Sequence, residues 1–117
     1  MKGSIKRTLK SRQIGLVQTY HLIDGTAGAP ADSGLDKAYV ASVVDNGVGS
    51  WTINFIEPAR LDVVAAGLAS LTAGATLSVS AVDKESITVS ALSDAGAAID
   101  ADFALSVVHS KLVDAIF

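Results

Sequence analysis

The stretch VVDNGVGSWTINF (43–55) brings together residue types that bind phosphate or metal ions in other proteins. A phosphate-binding P-loop requires a lysine after its glycines and then a helix, so that backbone N–H groups meet the anion. Here WTINF follows the glycines and alternates like a strand, and the glutamate that closes an EF-hand loop is missing. Because Asn and Gly tolerate the positive φ of tight turns, the stretch predicts a β-hairpin connected by Asp45-Asn46-Gly47. Gly47→Val is expected to disrupt that hairpin.

Other side chains capable of acid–base or metal chemistry occur in three places. DGTAG (24–28) is similar to one aspartic-protease loop, but those enzymes need two such carboxylates and the pattern occurs once. Three acidic residues form a candidate calcium set: Asp94, Asp100 and Asp102. Carboxylates in a loop are more often solvated than bound to the six to eight oxygens that calcium needs. His21 and His109 lack a third zinc ligand, and no G-x-S-x-G motif supports a Ser-His-Asp triad. We therefore expect no catalytic residue, no metal site, no cofactor and no enzymatic activity.

The charges of the chain are distributed unevenly. Residues 1–23 hold five of the nine basic residues and no acidic residue, whereas the remainder holds four basic and twelve acidic residues. The five basic residues are Lys2, Lys6, Arg7, Lys10 and Arg12. Three interpretations remain open: phosphate binding, docking on an acidic protein surface, or a solvated tail. The acidic remainder would repel DNA, so the pattern favours a partner-binding arm on an acidic body.

Short segments of alternating apolar and polar residues follow this arm. A period of two repeated over several segments requires antiparallel sheets with one apolar face each. The predicted strands are 14–23, 38–44, 51–57, 60–68, 76–82, 86–92 and 103–109. Their predicted inward residues are Trp51, Ile53, Phe55, Leu61, Val63, Ala65, Leu77, Val79, Ala81, Ile87, Val89, Ala91, Phe103, Leu105 and Val107. We predict an all-β fold, an antiparallel β-sandwich or jelly-roll-like domain over 14–117, with an extended basic arm over 1–13.

Length and composition limit the remaining classes. The chain has 117 residues, the length of one domain, and its lack of cysteine excludes disulfides and thiolate sites. No apolar run approaches the ~18 residues of a membrane span, and the first apolar stretch is too short for a secretion signal. We therefore expect no membrane segment and no secretion.

Three motifs resemble a module common in structural proteins of tailed bacteriophages. They are VVDNGVGSWTINFIEPARLDVVAAG (43–67), SVSAVDKESITV (78–89) and DAGAAIDADFALSVVHS (94–110). The resemblance covers residues 37–110 and implies a β-sandwich or jelly-roll-like virion protein that decorates or cements the capsid. The module often has His where this chain has Ala104, so a ligand role at that position is not transferred.

The resemblance and the basic arm together give a functional expectation. We expect a capsid decoration protein that binds over junctions of the major capsid protein, with the arm as its contact, and that forms a dimer or trimer. It would be made in the cytoplasm of a host bacterium and reside on the capsid surface. No specific nucleic acid, small-molecule substrate or membrane is expected as a partner. A tail or head-fibre component of the virion is the alternative.

Overall fold

The protein has an all-β fold of two antiparallel sheets. A computed structural model describes residues 13–56, 61–83 and 85–113. The strands are β1 (Gln13–Asp24), β2 (Val40–Gly47), β3 (Ser50–Phe55), β4 (Leu61–Ser70), β5 (Ala75–Val82), β6 (Ser86–Ser93) and β7 (Asp102–Val113). One 3-10 turn, Lys37–Tyr39, precedes β2. Each of the seven predicted segments overlaps one strand, which confirms the all-β prediction. The second segment was predicted to start too early, because residues 38–39 belong to the 3-10 turn, and predicted strand residues 57 and 60 lie outside the described residues.

The two sheets differ in size and in strand order. The smaller sheet has the order β1-β7-β4, and the larger sheet has the order β2-β3-β6-β5. The first and last strands pair along their whole length, from Gln13 opposite Val113 to Asp24 opposite Asp102. Two hairpins, β2–β3 and β5–β6, build the larger sheet together with the β3–β6 pairing. Every pairing within the sheets is antiparallel.

Buried residues of both sheets form one hydrophobic cluster. The alternation of β3, β6 and β7 places every second side chain in this cluster, as the sequence predicts. The buried members on these strands are Trp51, Ile53, Phe55, Ile87, Val89, Ala91, Phe103, Leu105 and Val107. The rings of Trp51 and Phe103, one from each sheet, lie 5.3 Å apart. The cluster is therefore built by three central strands, with Ile23 of β1 and Ala101 beside them.

Two β-bulges, one in β4 and one in β5, place some residues that were predicted to face the core on the outside of the fold. The register of β4 against β7 shifts between Val63 and Ala65, and that of β5 against β6 shifts between Val79 and Ala81. A bulge adds one residue to a strand, so the residues beyond it change faces. Val63 and Val79 pack against the core, whereas Ala65 and Ala81 are exposed. The prediction of an inward Ala65 and Ala81 was wrong for this reason.

The predicted arm and the domain boundary meet at β1. Lys2, Lys6, Arg7, Lys10 and Arg12 lie outside the described residues, so the arm stays a prediction. The first strand begins at Gln13, one residue before the predicted boundary of the domain. Among the residues that the structure describes, no helix is long and apolar enough to cross a membrane.

Candidate functional site

The DNGVG stretch forms a hairpin, but its turn lies later than predicted. Gly47 pairs with Ser50, so Val48 and Gly49 are the two turn residues, and a bulge between Asp45 and Gly47 ends β2. The Asp45 carboxylate accepts a 2.9 Å hydrogen bond from the Gly47 N–H, which makes it a turn-forming side chain. The carboxylate is thus engaged within its own turn.

The hairpin has a glycine at the end of β2, Gly47, and one in the turn, Gly49. A side chain would be tolerated less well at Gly49. Its φ is +72°, and a Cβ there would lie 2.8 Å from the Ala91 carbonyl oxygen and 3.0 Å from Ile99 backbone atoms. Gly47 has a φ of +121° and open space around it. The Gly49 N–H also donates to Asp100 Oδ1 at 3.0 Å, so the hairpin tip is held against the segment before β7.

Two of the three acidic residues considered for calcium, Asp100 and Asp102, have separate structural partners. Asp100 Oδ1 accepts from Gly49, whereas Asp102 Oδ1 accepts from the Thr26 N–H at 3.1 Å and from its hydroxyl at 2.8 Å. Asp24, in the DGTAG stretch, accepts from the Ala31 N–H. Within 13–56, 61–83 and 85–113, no group of three or more His, Asp or Glu residues could hold a metal ion.

The structure instead brings four polar side chains together inside the fold. His21 Nδ1 lies 2.6 Å from Asp32 Oδ2, and His21 Nε2 lies 2.7 Å from Thr19 Oγ1. Thr19 Oγ1 lies 3.0 Å from His109 Nε2, which joins β1 to β7. The Phe55 ring of the other sheet packs against both imidazoles, with centroids 5.6 Å from His21 and 5.1 Å from His109. We call Asp32, His21, Thr19 and His109 the buried polar chain.

Donor and acceptor requirements assign the protons along this chain. A carboxylate accepts only, so His21 donates from Nδ1 to Asp32, and in the single-proton form of the ring its Nε2 is then an acceptor. The Thr19 hydroxyl therefore donates to His21 Nε2, and its oxygen accepts from the N–H at His109 Nε2. Every donor in the buried polar chain has an acceptor in this arrangement.

His109 Nδ1 ends the buried polar chain as a buried ring nitrogen without a hydrogen-bond partner among the described residues. A proton added there would place a charge in the core beside His21. Burial lowers the pKa of His109 below its usual value, and the proximity of His21 lowers it further. The neutral form of His109 is therefore the form that the fold favours.

Asp32 also fastens a loop to the free edge of β1. Its Oδ1 accepts from the N–H groups of Leu22, at 3.0 Å, and Gly34, at 2.8 Å. Further along, the Tyr20 N–H donates to the Asp36 carboxylate at 2.7 Å. Two carboxylates thus take the place of a neighbouring strand, so this edge offers little for another chain to pair with.

The order Asp–His–Thr is that of an acid–base–hydroxyl triad, yet the geometry does not permit attack on a substrate. Thr19 is completely buried, and its hydroxyl both donates and accepts within the chain. A nucleophile needs access to substrate and a free approach to its oxygen. The arrangement is therefore a structural network. The one sequence feature that could have indicated this network is the spacing of Thr19, His21 and Ile23. Their period of two places all three side chains on the same face of β1.

The outward faces of the two sheets differ in chemistry. The larger sheet presents hydroxyl and amide groups that bond one another, with Thr52 bonded to Thr88 at 3.1 Å and to Asn46 at 2.8 Å. Ser80 and Ser90 are joined in the same way at 3.1 Å. These groups meet their hydrogen-bonding needs partly within the face, which suits a surface in contact with water.

The outward face of the smaller sheet is apolar by contrast. We call it the apolar face and define it by Leu16, Tyr20, Leu22, Leu35, Gly67, Ala69, Ala104 and Ser106. A depression of about 530 Å³ lies among all of these residues except Leu16. Leu35, in the loop fastened by Asp32, is 91% exposed, and Leu16 is 69% exposed. Gln18 lies on the same side of β1 between Leu16 and Tyr20, so the contiguous part of the apolar face is the part around the depression. Contiguous exposed apolar residues commonly mark an interaction surface.

Comparison with known proteins identifies no relative. No protein-family model matches the chain, no curated protein sequence matches it, and no solved structure matches its fold.

Proposed function

We propose that this chain is a structural protein of a tailed-bacteriophage particle that decorates the capsid and stabilises it. The observation that carries the proposal is the order of three motifs that resemble the phage module. The first motif spans the β2–β3 hairpin, the second spans the β5–β6 hairpin and the third leads into β7. We further propose that the two sheets form a β-sandwich, since their inward residues share one cluster.

The proposed contact is electrostatic and is provided by the arm. Lys2, Lys6, Arg7, Lys10 and Arg12 would lie along acidic patches of the shell, over junctions between major capsid protein subunits. Binding to the assembled shell but not to separate subunits shifts the equilibrium toward the shell by mass action. Many identical contacts on one lattice add to this effect if the protein is itself oligomeric.

The construction of the body supports a role as a rigid attachment. Asp100 holds the β2–β3 turn, Asp102 holds the loop at Thr26, and Asp32 holds the loop beside β1. A body whose loops are already ordered loses little conformational entropy on binding, so weak contacts are sufficient. Its acidic character would keep decorated particles apart in solution.

The test compares the full chain with a variant in which the five arm residues are replaced by Gln. Binding to expanded empty capsids is measured at several salt concentrations, with Lys37→Gln, an exposed residue of the body, as the matched control. We expect the arm variant to bind at least tenfold more weakly with a shallower salt dependence, and the control to bind like the parent. Full binding by the arm variant removes the arm from the mechanism, and failure of the parent to bind overturns decoration.

A tail or head-fibre component remains the alternative, because the resembling motifs belong to virion proteins of several locations. Fluorescently labelled protein added to separated heads and tails distinguishes the two. Decoration requires label on heads, whereas label confined to tails supports the alternative.

A further inference from the structure

The apolar face is neutral although the chain as a whole is acidic. None of its eight residues is charged, while acidic residues outnumber basic ones by twelve to nine in the complete sequence. Two copies of an acidic protein repel one another over most of their surfaces. Close approach of like molecules is least opposed where both surfaces carry no charge. Among the described residues, the outward face of the larger sheet is uncharged too, but its hydroxyl and amide groups bond one another and suit contact with water. The absence of charge together with exposed apolar side chains therefore distinguishes the apolar face as the surface for contact between identical chains.

The apolar face has a ridge along β1 and a groove over β7 and β4. Two rows of paired residues cross the sheet from β1 through β7 to β4: Tyr20–Ser106–Gly67 and Leu22–Ala104–Ala69. Each row has one large side chain on β1 and small ones on β7 and β4. Leu35 stands beside the large side chains and adds to the ridge, and the small residues line the depression of about 530 Å³.

We propose that a second copy of this chain packs on the apolar face and forms a two-fold symmetric dimer. A two-fold axis that lies in the interface parallel to the strands carries the ridge of one copy over the groove of the other. Both contacts of such a pair are then identical, as an isologous interface requires. The ridge formed by Tyr20, Leu22 and Leu35 thus fills the partner's groove, and its own groove receives the same residues.

The dimensions of the face indicate the strength of the dimer. From Leu16 to Leu22 the strand rises about 20 Å, and three strands with the adjoining loop are about 20 Å wide. Two copies then cover roughly 800 Å² before surface relief is counted, which is the size of a weak and reversible interface. We expect a dimer that dissociates on dilution, not an obligate one.

The experiment measures the mass of the isolated full chain by sedimentation equilibrium over a range of concentrations. We expect a concentration-dependent rise from 11.9 kDa to twice that value. Leu35→Glu should weaken the dimer at least tenfold without altering the melting curve, since Leu35 is almost fully exposed. Val48→Glu is the matched control, because Val48 is 63% exposed on the hairpin of the other sheet, and it should dimerise like the parent.

The ridge-in-groove arrangement has its own test. Leu35→Glu and Ala69→Lys should each be monomeric, because either places an isolated charge in the interface. An equimolar mixture of the two variants should form a heterodimer, detected by native mass spectrometry, since the carboxylate introduced on the ridge of one copy then faces the ammonium group introduced in the groove of the other. A monomeric or trimeric parent, a Leu35→Glu variant that dimerises normally, or a mixture that stays monomeric overturns the proposal. Capsids are absent from these measurements, so the outcome is independent of the decoration proposal.

Discussion

Replacing Thr19 by Val tests whether the buried polar chain stabilises the fold. Valine has nearly the same shape, so the change removes the hydroxyl and leaves the packing in place. His21 Nε2 and His109 Nε2 both lose Thr19 as their hydrogen-bond partner, and both groups remain buried. Each unsatisfied buried group costs about 1–3 kcal/mol, and the added methyl group returns part of that. We expect a loss of about 2–4 kcal/mol, which lowers the melting temperature by roughly 10–20 °C.

The assay is urea unfolding followed by tryptophan fluorescence, because Trp51 is fully buried in the same core. Thr19→Ser keeps the hydroxyl and should lose only about 1 kcal/mol, for one buried methyl group. Thr52→Val is the matched control on the outward face, where water replaces the lost hydrogen bonds, and it should change stability by less than about 1 kcal/mol. A Thr19→Val variant as stable as the parent would refute the stabilising role of the buried polar chain.

Three further changes test other parts of the structure. Gly49→Ala combines a positive φ with a clash against backbone and should cost about 2–4 kcal/mol in chemical unfolding, whereas Gly47→Ala should cost about 1–2 kcal/mol. Because the His109 pKa is lowered in the fold, the unfolded chain takes up the proton first as pH falls below about 6.5. Stability should therefore decline from that pH downward, and His109→Gln should flatten this part of a urea-midpoint profile. Asp32→Ala removes the acceptors of the His21 ring and of the Leu22 and Gly34 N–H groups, and should cost about 2–3 kcal/mol. It should also speed tryptic cleavage after Lys37, and unchanged cleavage would contradict the role of Asp32 in holding the loop.

The alternation of apolar and polar residues was sufficient to predict the strands and most of the buried core. The period-two alternation is clean in β3, β6 and β7, and each of these strands places its predicted residues inside. Burial depends there on local parity, because every second side chain of a regular strand faces the same way. The hairpin before Trp51 was also predictable, because only a few residue types tolerate the backbone angles of a tight turn.

The positions of bulges and of long-range contacts could not be predicted from local alternation. Ala65 and Ala81 face outward because a bulge shifts the register of β4 against β7 and of β5 against β6. These pairings depend on residues far away in sequence. The buried polar chain joins Thr19 to His109 across 90 positions. His109 has the same parity as Phe103 in the sequence, but its partner was not predictable until the pairing of β1 with β7 was known.

The proposal that this chain is a phage decoration protein is tested most directly by its copy number in purified virions of a phage whose genome encodes it. Quantitative mass spectrometry with labelled reference peptides gives its ratio to the major capsid protein. Decoration of the shell predicts hundreds of copies, a number comparable to that of the capsid subunits. A handful of copies, or none, would contradict the proposal, since a protein bound at every subunit junction cannot be scarce.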